Sequence, residues 1–79
     1  MKLHLYYGNN RQILEDRILD IGDKKISPKM LFRKINETLC GVFTLENAEW
    51  VLAKMNEDHP EWCEFKEKRG SNFWGIKIF

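Results

Sequence analysis

The sequence predicts an α+β fold: a small antiparallel sheet of three strands, or four, with two or three helices packed on one face, in the order β-α-α-α-β-β. Three features carry this expectation. Leu3, Leu5 and Tyr7 alternate with Lys2, His4 and Tyr6; two later stretches open with helix-capping residues, Ser27 and Thr44; and two aromatic-rich runs flank Arg69-Gly70-Ser71-Asn72.

The first stretch has the period of a half-buried strand, because successive side chains of a strand point to opposite faces, and it ends at Gly8-Asn9-Asn10. Residues 10–21 admit two readings. In the first, Asn10 caps a helix whose apolar positions Leu14, Ile18 and Ile21 fall at i, i+4 and i+7, with Gly22 as the stop. In the competing one, a strand pairs back across the Gly-Asn-Asn turn, which gives two helices and a four-stranded sheet.

Ser27-Pro28 is a clean helix start: the hydroxyl accepts from an otherwise unpaired amide, and proline lacks only a donor that the first turn leaves unused. Leu31, Phe32, Ile35 and Leu39 form the apolar arc of a helix running from Pro28 to about Leu39, stopped by Gly41. Lys29 and Arg33 lie one turn apart on its other side. Thr44 caps the next helix, which places Glu46 and Glu49 near its positive end and runs to about Glu57 before Pro60. Trp62 to Lys68 and Phe73 to Phe79 then read as a hairpin, with Trp74, Ile76 and Ile78 sharing one face of the last strand. The glycines at positions 8, 22, 41, 70 and 75 read as turn and cap punctuation.

Hydrophobic residues make up 43% of the 79 positions and aromatics 13%, enough to pack one core despite 32% charged residues. A chain this short buries only about 60% of the surface it exposes when unfolded, so one domain of modest stability over residues 1–79 is expected. No repeat, low-complexity tract or Gly/Ser-rich linker divides it. Apolar runs fall far short of the ~20 residues that cross a bilayer, and the first residues lack the apolar centre of a secretory signal. Cys40 and Cys63 are fewer thiols than a disulfide scaffold uses, so reduced cysteines and a cytoplasmic, membrane-free setting are expected.

Catalytic and metal-binding patterns are weak. His4, His59, Cys40 and Cys63 are potential ligands, yet only His59 and Cys63 stand close, as H-x-x-x-C, whereas structural zinc sites use closely spaced pairs. As a Cys-His catalytic pair they are disfavoured, because a thiol between Trp62 and Phe65 suits a core better than an activated thiolate. Ser27 and Ser71 fall in a cap and a turn, outside G-x-S-x-G, and no phosphate-cradling glycine loop is present. Glu15, Asp16, Asp20 and Asp23 lack EF-hand spacing and read as a solvated face. A non-enzymatic protein without cofactor or metal is expected.

Surfaces remain. The net charge of +1 argues against a uniformly basic nucleic-acid binder, but the charge is unevenly distributed. Residues 1–34 carry eight Lys/Arg against four Asp/Glu, residues 35–64 one against seven, and residues 65–79 four against one. On the Thr44 helix, Ala48, Val51, Leu52 and Met55 make the apolar stripe, and Trp50 projects to the other side among Glu46, Lys54 and Glu57. An indole there is either covered by another part of the chain, such as Tyr6 or the hairpin, or is a contact point for a partner. At the hairpin tip, Lys66, Lys68 and Arg69 stand beside Phe65, Phe73 and Trp74. The expected function is a small binding module acting through protein–protein contact at Trp50, Glu46, Lys54 and Glu57, as an inhibitor or adaptor of the kind that phage and mobile elements often encode. The alternative is a nucleic-acid-binding domain using Lys66, Lys68, Arg69, Lys29 and Arg33.

Overall fold

The computed structural model describes every residue of the chain except Asp23, Lys24 and Cys40. Strands β1 (Lys2–Asn9) and β2 (Gln12–Asp20) form a first hairpin. Helices α1 (Pro28–Thr38) and α2 (Leu45–Met55) follow, and β3 (Glu64–Arg69) and β4 (Asn72–Ile78) form a second hairpin. All pairings are antiparallel and the strand order is β2-β1-β4-β3, so each hairpin contributes one central and one outer strand. The α+β class and the antiparallel sheet agree with the sequence reading. The helix count and order do not: the described residues run ββααββ, the four-stranded alternative.

Residues 12–20 are therefore strand, not helix. Asn10 and Arg11 take φ values of 51° and 67°, closing a two-residue loop of the I′ kind whose twist suits paired strands. A bulge opposite Tyr7 and Gly8 inserts Leu14 as an extra residue, since Tyr7 pairs with Glu15 and Gly8 with Ile13. That insertion breaks the strict alternation along β2 and leaves aliphatic residues at spacings that imitate a helix.

The registers sort the side chains into two faces. Glu15, Tyr7, Trp74 and Glu67 form one row across the sheet; Arg17, Leu5, Ile76 and Phe65 form the next; Leu19, Leu3 and Ile78 the third. This face carries the helices. Leu3, Leu5, Ile76 and Ile78 pack in one buried cluster with Leu31, Ile35 and Leu39 of the α1 segment and Ala48, Val51 and Met55 of α2. Burying such side chains supplies about 1.5–3 kcal/mol each, the main term holding the helices down.

The helix starts follow their caps. Ser27 Oγ accepts from Met30 N at 3.2 Å, with Pro28 at the first helical position. Thr44 and Asn47 cap each other: Thr44 N donates to Asn47 Oδ1 at 2.7 Å, and Asn47 N donates to Thr44 Oγ1 at 3.3 Å. Trp62, expected in a strand, instead ends a 3-10 turn at Pro60–Trp62 and is highly exposed, because Pro60 sets the preceding bend and β3 begins only at Glu64. Among the described residues no helix is long and apolar enough to cross a membrane.

Candidate functional site

The face of the sheet opposite the helices is built from three further rows: Ile13, Gly8, Phe73 and Lys68; Asp16, Tyr6, Gly75 and Lys66; Ile18, His4, Lys77 and Glu64. Gly8 and Gly75 are thus strand-interior residues, a correction to their reading as turn punctuation. Each is covered by the aromatic ring directly opposite. A Cβ on Gly75 would collide with the Tyr6 ring, and one on Gly8 with Phe73 and the Gln12 carbonyl. Folded over these glycines, Tyr6 and Phe73 are buried although no helix covers this face. The Tyr6 hydroxyl donates to Glu64 Oε1; burial first, and that bond second, push the phenol pKa well above its ordinary value.

Both hairpin turns lie at the same end of the sheet, because the central strands are antiparallel and Asn9 pairs with Asn72. Asn10 N donates to Ser71 O at 3.0 Å and Asn9 Nδ2 donates to Asn72 Oδ1 at 2.6 Å, so the tips are fastened together. Between them and the open face lies a cleft of about 550 Å³ lined by Asn10, Arg11, Ile13, Lys66, Lys68, Ser71 and Phe73.

The sequence-derived basic set does not converge there as a whole. Lys66 and Lys68 line the cleft, with Lys66 Nζ 5.3 Å from the Phe73 ring centroid. Arg69 belongs to the helix side: its guanidinium lies 5.5 Å from the Trp74 ring centroid and its Nε 3.4 Å from Glu67 Oε1. Lys29 and Arg33 are exposed on α1, in the other layer of the fold. Arg11 takes their place, in a stretch whose sequence admits both helix and strand. The signal was an arginine in a two-residue turn whose second position favours glycine.

The Trp50 group is also rearranged. Trp50 is half-buried against the core, with its ring centroid 5.6 Å from that of Phe65 at 58°. The hairpin covers it, as one of the two sequence readings allowed, and the premise of an uncovered indole falls away. Glu46 and Glu57 are exposed, and Lys54 Nζ pairs with Glu57 Oε1 at 3.0 Å. That bond raises the Lys54 pKa and lowers that of Glu57.

Of the large exposed apolar residues, three lie together on the outer strand β2, where Ile13, Leu14 and Ile18 are 51%, 59% and 56% exposed; Trp62 is exposed by itself at the 3-10 turn. Ile21 N donates to Met1 O at 3.0 Å, and by antiparallel alternation Leu19, Arg17 and Glu15 also turn their backbone groups toward β1. The N–H and C=O of Asp16, Ile18 and Asp20 therefore point outward from the sheet. On the helix side of this edge, Arg17 pairs with Glu15 at 2.7 Å and Tyr7 Oη donates to Glu15 Oε2 at 3.0 Å; on the open face, His4 Nε2 lies 3.1 Å from Asp16 Oδ2.

The thiol and imidazole near the 3-10 turn do not meet as a pair. His59 stacks on Trp62 at 3.9 Å and its Nδ1 lies 3.1 Å from Glu61 Oε1, while Cys63 Sγ donates to Glu57 Oε2 at 3.5 Å. Partial burial, then the Glu57 carboxylate, push the Cys63 thiol pKa up, away from a reactive thiolate. No three potential metal ligands cluster among the described residues; Cys40 and Asp23 lie outside them. Comparison with protein-family models, with curated proteins and with solved structures gives no match.

Proposed function

We propose that the protein is a non-enzymatic binding module that engages a protein partner through the outer edge of β2, taking up an extended segment as an additional strand. The observation that carries this reading is the conjunction of outward backbone donors and acceptors at Ile18 and Asp20 and the outward N–H of Asp16, whose carbonyl accepts from Arg17 Nη1 at 2.6 Å, with the exposed side chains of Ile13, Leu14 and Ile18. Ladder bonds would supply affinity, and the aliphatic side chains would supply buried area. Glu15, Asp16 and Asp20 against Arg17 leave the edge acidic, so the segment that fits it is apolar with lysine or arginine at alternate positions.

Ile18→Lys tests this, because a lysine in mid-strand blocks edge pairing yet lies on a solvated surface where folding stability changes by less than about 0.5 kcal/mol. Nuclease-treated host lysate passed over the wild type should yield a protein that the variant fails to retain at unchanged melting temperature. Bound to that protein, the amides of residues 16, 18 and 20 should gain protection from hydrogen exchange. Retention by Ile18→Lys, or protection confined to α2, would contradict the proposal.

A further inference from the structure

We infer a second site that shares only Ile13 with the β2 edge: the cleft between the two hairpin turns binds the phosphate of a nucleotide, with Arg11, Lys66 and Lys68 as its cationic wall and Phe73 and Ile13 as its apolar floor. The charge is one-sided. Three cations from two hairpins face one hollow, and no carboxylate lines it among the described residues. Four cations elsewhere are satisfied locally: Arg17 by Glu15, Arg69 by Glu67, Lys54 by Glu57 and Lys77 by the Glu61 carbonyl.

Arg11 supplies an independent argument. At φ 67° its backbone occupies the left-handed region, where the clash of Cβ with the backbone carbonyl is avoided by glycine and where asparagine is the usual substitute. An outlier of this kind persists where the side chain is used, and this one lines the cleft. A planar guanidinium matches two phosphate oxygens at once, while the two lysines act as point charges beside it.

The remaining lining residues select among anions. The Asn10 amide and Ser71 hydroxyl are neutral donors at the rim, and the tips are held in place by the Asn10–Ser71 and Asn9–Asn72 bonds. A hollow of about 550 Å³ is in the range of small-molecule sites and larger than a bare inorganic anion requires. Its floor offers the exposed Ile13 side chain and the small exposed part of Phe73 to a weakly polar group such as a base. The phosphate can come from a free nucleotide or from the backbone of a single strand.

Titration with AMP and ATP, and fluorescence polarisation with a labelled oligothymidylate at low and physiological salt, separate these sources. Binding should weaken about tenfold in Arg11→Gly and again in Lys68→Glu, with each lost backbone contact lowering the salt slope by about 0.7. Lys2→Glu, the same charge change at the opposite end of β1, should leave it unaltered. Oligothymidylate binding with this variant pattern establishes a single-strand site, and mononucleotide binding with the same pattern but no oligothymidylate binding establishes a nucleotide site. Arg11→Gly relieves the turn, so its melting temperature should not fall and lost affinity cannot be assigned to unfolding. Absence of binding to every probe, indifference to Arg11→Gly, or equal weakening by Lys2→Glu would overturn the inference.

Discussion

The β1–β2 and β3–β4 hairpins each pair a central strand with an outer one across a two-residue loop, yet the outer strands differ in length, charge and cover. β3 spans six residues, turns the backbone groups of Glu64, Lys66 and Lys68 outward by the same alternation, and carries Phe65 beneath Trp50. β2 spans nine residues, presents Ile18 between two aspartates on its free edge, and packs Leu19 against the core. Lysines on a short strand are a common defence against edge pairing, and a long aliphatic edge is the opposite condition. The turns differ in the same sense. The second loop needs a positive φ only at its first position, which Gly70 fills, whereas the first loop takes positive φ at both positions with no glycine, at Asn10 and Arg11. The second hairpin is finished for stability, and the first keeps features that cost stability and leave surface available.

The largest expected effect tests the anchoring of β3. Trp50→Ala removes the ring that Phe65 packs against and should lower stability by about 3 kcal/mol, measured by urea unfolding. A loss under about 0.5 kcal/mol, typical of surface positions, would show that the two outer strands are equally loosely held.

Next comes the aromatic cover shared by the central strands. Gly75→Ala forces Tyr6 off its seat and should cost about 1–3 kcal/mol by overpacking, although alanine suits a strand interior no worse than glycine. Unchanged stability would mean that the ring has room to shift.

A pH dependence sharpens the same point. The folded-state pKa of Tyr6 lies above the ordinary 10.0 of a phenol, so the native state holds the proton more tightly than the unfolded chain. Its contribution is complete below about pH 10 and is lost as the pH rises beyond it. Melting temperature should therefore fall on the alkaline side, and Tyr6→Phe should make that fall shallower. Tyr7 and Cys63 are shifted in the same direction, by the Glu15 bond and by burial respectively, so some slope will persist.

The smallest effect has the opposite sign. Arg11→Gly should raise stability by about 0.5–1 kcal/mol, because glycine accepts φ 67° without strain. A drop would show that the guanidinium supports the first hairpin, and the contrast between the two turns would be lost.

The helices and the second hairpin were readable because their determinants are local. Ser27-Pro28, Thr44 and the apolar arcs they open act within a few residues, and Trp74, Ile76 and Ile78 alternate without interruption. Strand β2 was not, because a bulge at Leu14 and polar residues at Glu15 and Arg17 on the helix side erase its alternation. Nor could composition reveal the reciprocal placement of Tyr6 over Gly75 and Phe73 over Gly8, which depends on the register between the first and last strands.

For this protein the sequence by itself determined the α+β class, both helix starts and the tight turn in the second hairpin, since capping, proline and glycine act on neighbouring dihedral angles. Tertiary structure alone decided that residues 12–20 are strand, that Trp50 is covered by Phe65, and that Arg11 stands with Lys66 and Lys68 across one cleft. The last two outcomes rest on contacts between segments far apart in the chain, which form only once β1 and β4 lie side by side; the first rests on the pairing of β2 with β1, to which the bulged pattern of β2 gives no local clue.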